Sequence, residues 1–120
     1  SRKFPSGFCI LGVKIKGVVA SLKDYKITPG SFDAIICFYW VDRGMVEKIK
    51  SWLKPGGVLI YEAYTFREKD RDPAKRADPL SDNYLKEQEL IRLFPGMRVL
   101  KYEEPLHEKE FRSSIILMKE

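Results

Sequence analysis

Residues Phe32 to Thr65 read FDAIICFYWVDRGMVEKIKSWLKPGGVLIYEAYT, and this stretch decides the fold. Ala34 to Val41 is an uncharged apolar run holding Phe38, Tyr39 and Trp40 in succession. A strand apolar on both faces belongs inside a parallel sheet covered on both sides. Met45, Val46, Ile49, Trp52 and Leu53 then recur at helical spacing among Glu47, Lys48 and Lys50, which predicts an amphipathic helix with one buried stripe. Lys54-Pro55-Gly56-Gly57 stops that helix, because proline cannot continue the hydrogen-bond ladder and glycine tolerates left-handed backbone. Val58 to Tyr64 follows as a second buried strand. Strand, helix and strand at this spacing make a right-handed βαβ unit, around which the rest of the chain must pack.

At 120 residues and 44% hydrophobic, the chain is expected to be a single α/β domain with a real core. No run of about 18 apolar residues occurs, so no membrane partner is expected. The apolar part of SRKFPSGFCILG is too short and interrupted for a secretory signal. Cys9 and Cys37 make no disulfide framework, and both are expected to be reduced thiols of a cytoplasmic protein. The net charge is +5, but 17 acidic residues are interspersed among 22 basic ones, which reads as a solvated mixed-charge surface. Asn83 and Gln88 are the only residues of their types beside 32% charged residues, a balance that leans toward a thermophilic source.

Outside the central unit the signals are weaker. Phe8 to Leu11 reads as a short strand or a helix remnant after the turn Pro5-Ser6-Gly7. Gly7 and Gly12 have the gap of a phosphate loop, but Val13 and Lys14 stand where its lysine and hydroxyl residue belong, so that motif is dismissed. Val13 to Leu22 alternates, turns apolar and is expected to be a strand, with the polar KDYKITPG leading to the central one. Phe66 to Leu80 is charged, holds two prolines and has no periodicity, so a mobile loop is expected. Ser81-Asp82 should open a helix whose apolar face is Tyr84, Leu85, Leu90, Ile91 and Phe94, ended by Pro95-Gly96. Met97 to Tyr102 and Arg112 to Lys119, joined by a polar turn, read as an antiparallel hairpin.

Three stretches in this order carry a family resemblance: SFDAIICFYWVDR, IKSWLKPGGVLIYEAYT, and YLKEQELIRLFPGMRVLKYEE followed by RSSIILMK. Together they resemble the C-terminal part of a class I S-adenosylmethionine-dependent methyltransferase, from its fourth strand through its closing hairpin. Within that superfamily the chain is most similar to the tellurite-resistance and thiopurine-type small-molecule enzymes. The resemblance implies a truncated Rossmann-like methyltransferase sheet, parallel strands then an antiparallel hairpin, with S-adenosylmethionine as cofactor and a small-molecule substrate. The family's glycine-rich loop and the ribose-binding acid of its second strand have no counterpart here; the chain is expected to start at about the third strand. Where the family has an alanine-acid-leucine step, this chain has Ala20-Ser21-Leu22, so Ser21 is the expected contact near the adenine, and Asp24 is weighed as a substitute acid against a plain solvated loop residue. Without the first two strands the fourth strand gains an unpaired edge, an aggregation hazard. Either Val13 to Leu22 or a second copy is expected to cover it, and a homodimer is the expected state.

Ligands of open α/β sheets bind beyond the carboxyl ends of the strands. Methyl transfer from a sulfonium needs mainly alignment, and aromatic faces at the pocket mouth stabilise a cation. Phe38, Tyr39 and Trp40 are therefore the candidate cofactor-facing wall, each weighed against a plain core role. Arg43 is the candidate for an anionic substrate, against an ion pair with Asp42 or Glu47. Glu62 and Tyr64 are further substrate candidates, because an unpaired buried carboxylate is costly and Glu62 must face the site or pair with a cation such as Arg112. His107, the sole histidine, lies in a polar turn, and one His with two distant Cys gives no metal-site spacing. No catalytic acid, base or nucleophile is assigned. The readings kept open are a small-molecule methyltransferase or its C-terminal portion, a non-catalytic self-associating relative, and a polyanion- or RNA-binding module. The last is weakest, since acids interrupt every basic run and nucleic acid is not an expected partner.

Overall fold

The computed structural model describes the backbone of Phe8–Leu11 and residues 27–76, 84–105 and 109–120. In chain order the elements are β1 (Phe8–Leu11), β2 (Phe32–Phe38), a 3-10 turn (Arg43–Met45), α1 (Val46–Trp52), β3 (Leu53–Tyr64), α2 (Phe66–Arg71), α3 (Pro73–Arg76), α4 (Leu90–Leu93), β4 (Arg98–Glu103) and β5 (Arg112–Met118). The strands form one sheet of order β1-β2-β3-β5-β4. β2 and β3 are adjacent and parallel, with Ala34 beside Val58 and Phe38 beside Glu62. β5 runs antiparallel between β3 and β4, closing the sheet as the expected hairpin. This is the mixed α/β, methyltransferase-like sheet read from the sequence.

Helical spacing puts Met45, Ile49 and Trp52 on one side of the crossover, each at most 3% exposed. They pack on the sheet face that carries Ile35, Leu59, Tyr61, Ala63, Ile115 and Leu117, with Leu85, Leu90 and Phe94 from the segment around α4. Each such side chain contributes about 1.5–3 kcal/mol on burial. The other sheet face is only half-buried at Ala34, Ile36, Phe38, Ile60 and Ile116, so the expected complete burial of β2 on both faces is corrected to one face. α1 ends at Trp52 and passes directly into β3. Its last carbonyls are satisfied from elsewhere: Gly30 N–H and Ser31 N–H donate to Ser51 and Trp52 at 2.8 and 2.9 Å. Lys119 Nζ donates to the carbonyls of Lys50 and Leu53 at 2.8 and 2.9 Å, a cation at a helix C-terminus.

Several expectations change. The edge of β2 is covered by β1, antiparallel, with Cys9 opposite Cys37; Val13 to Leu22 lies outside the described residues, as do Ser21, Asp24 and His107. Cys37 is disulfide-bonded, and the chain's only other cysteine is Cys9. The expectation of reduced thiols is therefore wrong, and with it goes the ground for a cytoplasmic location. β2 ends at Phe38 rather than Val41, because Tyr39 takes a left-handed φ of 56°. Phe66 to Leu80 is no mobile loop in its described part, since α2 and α3 occupy 66–71 and 73–76. The helix expected over 81–94 shrinks to Leu90–Leu93: Leu85 instead bridges to Thr65, and Gln88 at φ 58° breaks the helical path.

Gly57 is where crossover and strand meet most tightly. A Cβ there would sit 2.8 Å from the Lys54 carbonyl oxygen, 3.1 Å from Leu53 Cδ2 and 3.2 Å from the Asp33 carbonyl oxygen. Two of those three are backbone atoms, so the backbone itself must yield. Gly57→Ala should cost about 1–3 kcal/mol of stability. Urea denaturation checks it, as a lower midpoint with unchanged slope.

Candidate functional site

Parallel pairing brings the carboxyl ends of β2 and β3 side by side, and the aromatic residues just beyond them meet there. The rings of Tyr39 and Tyr64 stack with centroids 4.7 Å apart and an interplanar angle of 27°. Tyr64 stacks in turn on Tyr84 at 6.5 Å, and Phe66 lies 6.0 Å from Tyr84. Two ammonium groups sit over this row: Lys75 Nζ is 3.9 Å from the Tyr64 centroid and Lys69 Nζ 5.2 Å from that of Tyr84.

Glu62 holds the head of the row. It faces away from the core with a side chain 23% exposed. Its carboxylate accepts from the Tyr39 hydroxyl at 2.7 Å and the Ser114 hydroxyl at 2.6 Å, and lies 3.7 Å from the Arg112 guanidinium. Its carbonyl accepts from Tyr39 N–H at 2.7 Å, so one residue fixes Tyr39 at backbone and side chain together. That double hold sustains a left-handed backbone at a bulky residue, which costs about 1–3 kcal/mol and tends to occur at functional sites. Burial, reinforced by the hydrogen bond to Glu62, pushes the Tyr39 phenol above its ordinary value. Burial and the hydrogen bond to Glu110, 2.8 Å long, do the same for Tyr64.

Tyr64, the second ring of the row, rests on a charged cluster that the sequence did not reveal. Glu68 is completely buried on α2. Its carboxylate accepts from Arg71 Nε and Nη2 at 2.8 and 2.6 Å, from Lys75 Nζ at 2.6 Å and from Phe111 N–H at 3.0 Å. Hydrogen bonds from Arg71 outweigh burial and, with those of Lys75 and Phe111, hold the Glu68 carboxyl down at about 2. Burial alone would lower the Lys75 ammonium, but Glu68, Tyr64 and Glu110 together raise it. Lys75 also reaches Glu110 at 3.3 Å, so the cluster ties α2 and α3 to the start of β5 and sets a cation against Tyr64.

The other candidates are dispersed. Phe38 lies on the half-buried sheet face, where it lines a groove of about 260 Å³ with Ile60, Glu62, Ser114 and Ile116. Trp40 packs against the core, and its carbonyl accepts from the buried Tyr61 hydroxyl, whose pKa burial raises strongly. Arg43 pairs with neither Asp42 nor Glu47 as weighed, but is clamped by Glu89 at 2.5 and 2.8 Å and by the Tyr84 carbonyl at 2.9 Å. Asp42 instead accepts from Gly44 N–H at 3.0 Å. Tyr39, Glu62 and Tyr64 therefore share one place, with Phe38 at its side against Tyr39 at 6.4 Å, and are joined there by Tyr84, Lys75, Ser114 and Arg112, the partner weighed for Glu62. Among the described residues no group of three or more His, Cys, Asp or Glu could hold a metal ion, and no helix is long and apolar enough to cross a membrane.

No protein-family model matches the sequence, and neither does any curated protein. Among solved structures the chain is similar to the crystal structure of a SAM-dependent methyltransferase from Methanosarcina mazei, at 16% identity and a TM-score of 0.60. The match covers 85% of this chain and 66% of that one, just under two thirds of its length. At that identity the likeness is one of fold.

Glu68 gives the region a pH signature. A carboxylate held below its ordinary 4.5 adds stability that is complete above that pH and is lost as pH falls toward about 2. Glu68→Gln should flatten the acid limb of the stability curve in that window and lower neutral-pH stability by about 2 kcal/mol. Urea unfolding of both proteins at stepped pH measures it.

Proposed function

We propose that the chain is part of an S-adenosylmethionine-dependent methyltransferase acting on a small molecule, of the kind handled by the tellurite-resistance and thiopurine-type enzymes. One observation carries this reading: a stacked tyrosine row stands at the carboxyl ends of two adjacent parallel strands, where open α/β sheets receive ligands. S-adenosylmethionine, when bound, supplies a methyl group activated by a sulfonium. Of the residues present, the faces of Tyr39 and Phe38 suit its cationic end, whereas Lys75 and Lys69 already sit over Tyr64 and Tyr84 and Arg112 beside Glu62.

In this reading Tyr39 is the cofactor-side wall, with the Phe38 ring tilted against it at 6.4 Å. Glu62 and Tyr64 shape the substrate side; Arg43 takes part only if an anionic group displaces Glu89. Tyr39 and Tyr64 have raised pKa values and stay protonated at neutral pH, so they donate hydrogen bonds and orient rather than accept protons. Such a site acts chiefly by alignment and by excluding water. The 120 residues contain no glycine-rich strand and loop for the methionine moiety. The same feature favours a second reading, a methyltransferase-like domain without catalysis.

Titration with S-adenosylmethionine and S-adenosylhomocysteine separates the two. Binding raises the melting temperature by mass action. Tyr39→Ala should weaken binding by about tenfold, while Tyr39→Phe keeps the ring face and most of the affinity. A melting temperature indifferent to both ligands up to millimolar concentration overturns the first reading and leaves the second.

A further inference from the structure

We propose that β4 is the surface through which two copies of this chain associate, pairing edge to edge into one continuous sheet. β4 ends the strand order, and among the described residues no strand pairs with its outer side. Five of its six residues are exposed, including the apolar Val99 at 43% and Leu100 at 49%. An exposed apolar edge is a ready template for another strand.

The identity of the occupant follows from the register. Along β5, Arg98 stands opposite Met118, Val99 opposite Leu117, Lys101 opposite Ile116, Tyr102 opposite Ile115 and Glu103 opposite Ser114, so the ladder skips Leu100. In a regular strand residues five apart point to opposite faces. The bulge cancels that alternation: Arg98 and Glu103 share the half-buried face, while Val99 and Tyr102 share the core face. A bulge often serves to blunt an edge; here it makes the edge complementary to itself. Antiparallel pairing of β4 with a second β4, about the midpoint of Leu100 and Lys101, sets Arg98 opposite Glu103 of the second copy. It sets Val99 opposite Tyr102 of the second copy, a β-branched and aromatic pair. Both kinds of pair stabilise antiparallel strands, and two-fold symmetry makes each occur twice. Glu103 meets Lys101 of its own strand through one carboxylate oxygen, at 3.2 Å, and keeps the other for a second cation, while Arg98 has no ion pair with another described residue. The edge therefore offers one positive charge at one end and receives it at the other. An unrelated strand would not match that pattern at both ends. Association thus lies at the edge opposite the one expected from the sequence, which β1 occupies.

Sedimentation equilibrium on the full chain over a concentration series tests this. The wild-type chain should dimerise, and Arg98→Glu and Glu103→Arg should each weaken the dimer by about tenfold, since like charges then face each other twice. The double charge swap should restore affinity to within about threefold of wild type. A monomer at every concentration overturns the proposal, as does a dimer indifferent to either single substitution or a double variant no tighter than the singles. Should a variant fail to fold, amide exchange of the wild-type chain decides. Protection of β4 that rises with concentration supports the interface, and concentration-independent exchange refutes it.

Discussion

Everything at the candidate site depends on the parallel pairing of β2 with β3. Parallel neighbours cannot be joined by a tight turn, so α1 must cross over and pack on one face. That crossover fixes the core. It also places both carboxyl ends at the same rim, so that Phe38 stands beside Glu62 and the next residue, Tyr39, falls within reach of the Glu62 side chain. An antiparallel arrangement would have sent the Tyr39 and Tyr64 rings to opposite ends of the sheet.

Glu62 shows why one carboxylate can be tolerated in an apolar strand. It lies on the half-buried face, where Tyr39, Ser114 and Arg112 satisfy it from three directions. Glu68 meets a harsher condition, complete burial, and is correspondingly surrounded by two cations and a backbone N–H. The two clusters hold adjacent rings of the row, Tyr39 and Tyr64. One is built on the sheet itself and the other on the helices that follow β3. Two stacked rings held in this way lose little further freedom when a ligand orders them.

The central unit was legible because its periodicities are strong: a continuous apolar run, a helical stripe and a PGG stop leave few alternatives. The hairpin was legible from alternation alone, and the Glu62–Arg112 pair from the cost of a carboxylate in an apolar strand. What escaped lies where charge density hides structure. FREKDRDPAKR has no apolar period, since α2 is anchored by the buried Glu68 rather than by a hydrophobic stripe, and no pattern of hydropathy registers that. Tyr84 and Leu85 fit a helical face in sequence, yet Leu85 is drawn into a bridge with Thr65, and this places the Tyr84 ring against Tyr64. Arg43 found its acid 46 residues away, in Glu89, because the choice between near and distant partners is made by the fold. The glutamate three residues beyond Lys86, closing back on that N–H at 2.8 Å, was the local sign that Glu89 would be held in place.

The sheet treats its two edges differently, and the difference is physical. Beside β2, the most apolar strand, the cover is the four-residue β1, too short to depend on backbone hydrogen bonds alone. Cys37, which is disulfide-bonded, lies in β2 itself, where the register sets the backbone of β1 alongside. On the opposite edge Val99 and Leu100 are apolar and exposed, between the charges of Arg98 and Lys101. An open apolar edge is a template for a further strand, so it calls for a cover. The apolar character left on β4 is then best understood as a surface meant to be covered, with charges at its two ends that fix what covers it.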